Sequence, residues 1–132
     1  MKLRLHDNSI RFRLTQREVE RLVAEGRVES SLRFTAPDSE LTYALETSSS
    51  YDEVNAQRNL NEIRVTLPEA LARTWATTNQ VTIEHLQSMG SDARLRILVE
   101  KDFRCVHRDE TPEQDGVADL YPNPNDSVGS VE

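Results

Sequence analysis

A single cysteine, Cys105, stands among the 132 residues, so no disulfide can close within the chain. A reducing cytoplasm is the expected compartment. Glycine and proline number only four and five, which fits a globular domain with a polar surface plus some disorder. Aromatic residues are scarce and scattered (three Tyr, three Phe and one Trp), so they build no stacking platform for single-stranded nucleic acid. No apolar run approaches the roughly 18 residues that a membrane helix needs. The stretch Met1-Lys2-Leu3-Arg4-Leu5-His6 alternates charge with leucine and lacks the apolar block of a secretory leader. Basic residues are outnumbered, 16 against 23 acids, giving a net charge of −7. Such a balance disfavours nonspecific binding to phosphate backbones. No glycine-rich phosphate loop, catalytic constellation or complete metal cage stands out.

What charge there is falls unevenly. Residues 107–132 hold Asp109, Glu110, Glu113, Asp115, Asp119, Asp126 and Glu132 against Arg108 alone, leaving the first 106 residues one charge from neutral. This division predicts one globular domain over 1–106 and an acidic tail over 107–132, partly disordered or docked.

Within the first part, alternation with a period of two marks strands. Leu3 and Leu5 alternate with Lys2, Arg4 and His6; Ile10, Phe12 and Leu14 alternate with Arg11 and Arg13. Asp7-Asn8-Ser9 between them is turn chemistry, predicting a hairpin. Thr15-Gln16-Arg17-Glu18 matches a capping box at a helix start, and Gly26 suits a left-handed helix stop. Further strands are predicted around Val28–Phe34, Leu41–Leu45, Ile63–Leu67, Val81–Ile83 and Leu95–Val99, with Pro68 opening a second helix. The polar segment Ser48–Asn61 is expected to be a loop or to hold a short edge strand near Tyr51–Val54.

The chain echoes itself. Ile10-Arg11-Phe12-Arg13-Leu14 lines up with Ile63-Arg64-Val65-Thr66-Leu67, Leu22 with Trp75, Gly26 with Asn79 and Val28 with Val81. With one residue inserted, Leu41–Glu46 falls on Leu95–Glu100. The expected fold is therefore α+β: two similar strand-helix-strand-strand halves, about 1–47 and 54–106, sharing one core. A curved mixed sheet or small barrel is expected, with helices at about 15–25 and 68–78.

Two resemblances follow. Ile63-Arg64-Val65-Thr66-Leu67-Pro68-Glu69-Ala70-Leu71 with Val81-Thr82-Ile83-Glu84 resembles the strand–helix–strand unit of AbrB-type swapped-hairpin transcription factors. That resemblance implies a dimeric DNA binder, although the matching unit is not basic. More broadly, Lys2-Leu3-Arg4, Asn8-Ser9-Ile10-Arg11-Phe12-Arg13-Leu14, Glu100-Lys101-Asp102-Phe103-Arg104-Cys105 and Pro122-Asn123-Pro124 resemble a family of small uncharacterised bacterial proteins. That resemblance implies a bacterial cytoplasmic protein and carries no activity.

Three groups of residues are candidate sites. Pairing the opening hairpin puts Lys2, Arg4, His6, Arg11 and Arg13 on one face. There they would form an anion or tail-docking site, or the solvated outside of a sheet balanced by neighbouring acids. Asp102, Cys105 and His107 have metal-ligand chemistry but fall short of a four-ligand cage. A thiol or metal enzyme using Cys105 and His107 is the alternative they raise. Leu120, Tyr121, Pro122, Asn123 and Pro124 return apolar and stiff residues to an otherwise solvating tail, as a docking element would. The leading expectation is a non-enzymatic interaction or ligand-binding domain without cofactor. Its partner would be a protein or the chain's own tail, with nucleic acid disfavoured and no membrane.

Overall fold

In the computed structural model, residues 1–37 and 39–103 are described. Eight strands and two helices follow in the order β1 (Lys2–His6), β2 (Ser9–Leu14), α1 (Gln16–Glu25), β3 (Arg27–Arg33), β4 (Glu40–Ser48), β5 (Asn55–Asn59), β6 (Glu62–Pro68), α2 (Glu69–Thr77), β7 (Thr82–Ser88) and β8 (Arg94–Lys101). They build two four-stranded mixed sheets, ordered β1-β2-β8-β7 and β3-β4-β6-β5, and no closed barrel. The fold is α+β and mostly strand.

Each half reads hairpin, helix, hairpin, and each sheet takes one hairpin from each half. The central pairs are parallel: β2 runs beside β8, and β4 beside β6. The repeat is carried down to single bonds. The Arg96 amide donates to the Asn8 carbonyl at 3.1 Å, and Thr42 donates to Asn61 at 2.8 Å at the matching place. The Thr47 amide donates to Gly26 O at 3.0 Å and that of Lys101 to Val81 O at 3.1 Å. Gly26 therefore corresponds to Val81 rather than to Asn79, and Val28 to Ile83, because the link from α2 to β7 is longer than the link from α1 to β3.

The polar segment departs from expectation in a second respect. Its strand is β5, Asn55–Asn59, rather than Tyr51–Val54. As an edge strand it needs few apolar residues; Val54 just before it is buried, and Ala56 packs on the core. Its outer edge is closed by Gln87 of β7, whose side chain accepts from the Ala56 amide at 2.7 Å and donates to the Ala56 carbonyl at 3.0 Å. One carboxamide thus replaces two ladder bonds where the sheets approach without pairing.

One core lies between the sheets and under the helices. Phe12, Leu14, Ile83, Ile97 and Val99 come from one sheet and Val28, Leu45, Val65 and Leu67 from the other. Val19, Leu22, Ala72 and Trp75 come from the helices. Leu22 and Trp75, equivalent in the repeat, are both wholly buried.

Helix α1 starts at the capping box. The Glu18 amide donates to Thr15 Oγ1 at 3.3 Å, and the Thr15 amide donates back to the Glu18 carboxylate at 2.9 Å. It stops at Gly26, whose φ of +83° is open to glycine and strained for other residues. Burial alone would raise the Glu18 carboxyl, but bonds from the Met1 ammonium and from Thr15 outweigh it and hold the group below its ordinary 4.5. A depressed folded-state value contributes stability above the unfolded value, lost as pH falls through the folded one. Glu18→Gln is therefore expected to cost about 1 kcal/mol in urea unfolding at neutral pH. The difference from the parent should close as the pH is taken below 4.5. A deficit that persists unchanged in acid would refute the charge-based account.

Candidate basic face of the first hairpin

The opening hairpin has the register that its turn implies: Lys2 opposite Arg13, Arg4 opposite Arg11 and His6 opposite Ser9. Phe12 and Leu14 point into the core, so Arg11 and Arg13 point out. The five residues Lys2, Arg4, His6, Arg11 and Arg13 thus share one outer face.

Two acids that the hairpin alone does not reveal sit on the same face. Glu100 of β8 lies beside Arg13 across the parallel ladder, 3.2 Å from Arg13 Nε and 3.7 Å from Arg11 Nε. Asp102 lies 3.2 Å from Lys2 Nζ. His6 is exposed, with Nδ1 3.7 Å from Asp7. Leu98, on the same face between Arg11 and Glu84, is buried. Among the described residues of this face, the cations are Lys2, Arg4, Arg11 and Arg13 and the acids near them are Glu100 and Asp102.

The second half supplies an internal control. At the matching positions Asn55 stands opposite Thr66, Gln57 opposite Arg64 and Asn59 opposite Glu62. Arg64 corresponds to Arg11 and Glu46 to Glu100, and their 4.0 Å contact repeats the 3.7 Å one. Lys2, Arg4 and Arg13, however, correspond to the neutral Asn55, Gln57 and Thr66. On the outer face, one scaffold therefore carries one cation, Arg64, on the second hairpin and four on the first. Like charges set directly across an antiparallel pair repel, so the added cations are not explained by pairing of the strands.

The sheet bearing the second hairpin has its own ion cluster, which the sequence alone does not reveal. Arg27 donates to Glu29 at 2.7 Å, to Glu62 at 2.8 Å and to Glu46. Arg64 lies 3.4 Å from Glu62. The hydrogen bond to Glu62 is the main reason the Arg27 guanidinium is held above its ordinary value, against burial and with help from Glu29 and Glu46.

Of the proposed metal ligands, Asp102 is placed against Lys2; Cys105 and His107 lie outside the described residues, as do Leu120, Tyr121, Pro122, Asn123 and Pro124. Among the described residues, no group of three or more His, Cys, Asp or Glu side chains could hold a metal ion. His85 sits 4.0 Å from Glu53. Trp75 is inside the core and offers no face to a ligand.

The family model that matches this sequence covers residues 1–125. The chain belongs to the family of unknown function DUF7009. No curated protein and no solved structure matches it. The segment that resembles an AbrB-type unit spans β6, α2 and the start of β7 in this DUF7009 chain. Its hairpins exchange with the other half of the same polypeptide, so the core is completed within one chain. Among the described residues of this DUF7009 protein, no helix is long and apolar enough to cross a membrane.

Proposed function

We propose that this protein is a non-enzymatic binding domain of the bacterial cytoplasm. Residues 1–106 would form its single unit, and the outer face of β1 and β2 would engage an acidic protein segment. The observation that carries this is the divergence between the halves: Lys2, Arg4 and Arg13 where the repeat has Asn55, Gln57 and Thr66. A short row of cations suits a short acidic peptide, whose carboxylates would displace or extend the pairs made by Glu100 and Asp102. Four cations are few for a nucleic acid, which rewards many phosphate contacts, and among the described residues of the face no aromatic side chain stands ready for base stacking.

The test exchanges one half's chemistry for the other's. The chain's own acids at 109–119 are first converted to amides (Asp109→Asn, Glu110→Gln, Glu113→Gln, Asp115→Asn, Asp119→Asn) so that they do not compete. A synthetic peptide of alternating Asp and Glu is then titrated while backbone amide shifts are followed. Shifts are expected on β1 and β2, fading in high salt. Adding Lys2→Asn, Arg4→Gln and Arg13→Thr should weaken binding about 10- to 100-fold, since each partly exposed cation contributes about 0.5–1 kcal/mol. Unfolding free energy should change by no more than about 1 kcal/mol. Equal binding by the triple variant, or shifts confined to another face, would dispose of the reading.

A further inference from the structure

The route by which the chain leaves the described fold bears on who occupies the basic face. The Asp102 amide donates to the Leu14 carbonyl at 2.8 Å, so the strand end is tied to β2. The Asp102 carboxylate meets Lys2. The next residue, Phe103, is the last one described. The described chain therefore ends beside the Lys2–Arg13 end of the face.

We propose that the acidic segment 107–132 of this same chain is the resident occupant of the β1–β2 face, and that it competes there with any acidic partner. The inference rests on the binding role proposed for that face. Three lines support it.

The first is charge. The segment has seven acids against Arg108, and the described residues of the face hold four cations beside Glu100 and Asp102. The second is reach. At about 3.3–3.6 Å per extended residue, the six residues from Phe103 to Asp109 span about 20 Å. The face itself is about 17 Å long, five strand residues at about 3.3 Å each. Asp109, Glu110, Glu113 and Asp115 all fall within range of Lys2, Arg4, Arg11 and Arg13.

The third is concentration. A short tether holds its end at an effective concentration on the order of 1 mM. A segment with an intrinsic Kd on the order of 0.1 mM would then occupy the face about ten times as often as it leaves it free. An untethered acidic peptide would bind about ten-fold more weakly to the unaltered chain than to one whose segment is neutral. Leu120, Tyr121 and Pro122 lie beyond these acids in sequence, so they are not needed for the contact.

The experiment compares two full-length chains. One keeps its natural acids; the other carries the five amide substitutions at 109, 110, 113, 115 and 119. Both have Cys105→Ser and Val117→Cys, so that a nitroxide can be attached inside the segment. In the natural chain, amide signals of residues 2–6 and 9–13 are expected to lose about half their intensity or more, and to recover in high salt. The amide chain should show little selective loss, and it should bind the Asp/Glu peptide about ten-fold more tightly than the natural one.

Equal peptide affinity in the two chains, with nitroxide broadening spread evenly over the surface, would overturn the intramolecular contact while leaving the face a binding site. Peptide binding by neither chain would overturn both readings. Broadening concentrated on another face would relocate the segment and refute the proposal.

Discussion

Replacing Trp75 by alanine is expected to lower the unfolding free energy by about 3–5 kcal/mol. That is a large share of the roughly 5–15 kcal/mol available to an ordinary domain. Trp75 is the largest wholly buried side chain. Its ring fills the space beneath α2, and Lys101 Nζ lies 5.8 Å from the ring centroid. Its indole Nε1 donates to the Val81 carbonyl at 2.9 Å. That carbonyl also accepts from the Lys101 amide, so the indole and β8 together fasten the link between α2 and β7. The first half needs no such fastener, because α1 passes through Gly26 directly into β3. Trp75→Phe should cost less, about 1–2 kcal/mol, since much of the ring is kept and one bond is lost. Urea unfolding followed by far-ultraviolet circular dichroism measures both, because the only tryptophan disappears in each variant. Equal costs for the two substitutions would mean that the hydrogen bond, not the ring volume, dominates.

Arg27→Met is expected to cost about 2 kcal/mol at low salt. The figure sits below the roughly 3–5 kcal/mol for breaking a fully buried pair, because the Arg27 side chain is 33% exposed and water screens it. Removing the guanidinium leaves Glu29, Glu46 and Glu62 facing one another with Arg64 as their remaining near cation. Much of the deficit is repulsion among carboxylates, so it should shrink in about 1 M salt, where the screening length falls to about 3 Å. It should also shrink when Glu46→Gln is added, giving a favourable coupling in a double-mutant cycle. A salt-independent deficit would instead assign the loss to packing of the arginine stem.

Much of the fold was legible because most of its strands alternate. Leu3, Ile10, Phe12, Val28, Tyr43, Val65, Ile83 and Val99 each announce an inward row. The capping box and Gly26 announced the limits of α1. β5 escaped because an edge strand can form from Asn-Ala-Gln-Arg-Asn, with pairing supplied by β6 and by the Gln87 carboxamide. Pairing between halves was not legible either: a period of two says which side a residue faces, not which strand lies beside it. The candidate face shows the same limit. Lys2, Arg4, Arg11 and Arg13 could be placed together from the turn alone. Glu100 could not, because it joins them only through the parallel ladder of β2 with β8. The offset between the halves held the clue, since Glu46 occupies the corresponding place beside Thr66.

The exchange of hairpins also sets a timetable for synthesis. The sheet β3-β4-β6-β5 is complete in sequence once residue 68 has been made. The sheet β1-β2-β8-β7 is not, because β2 ends at Leu14 and its partner β8 ends only at Lys101. At about 5–20 residues per second, the β1–β2 hairpin waits on the order of seconds for β8 to be made. A message cut short before residue 94 would leave β2 without its parallel neighbour, with Phe12 and Leu14 lacking the cover that Ile97 and Val99 provide.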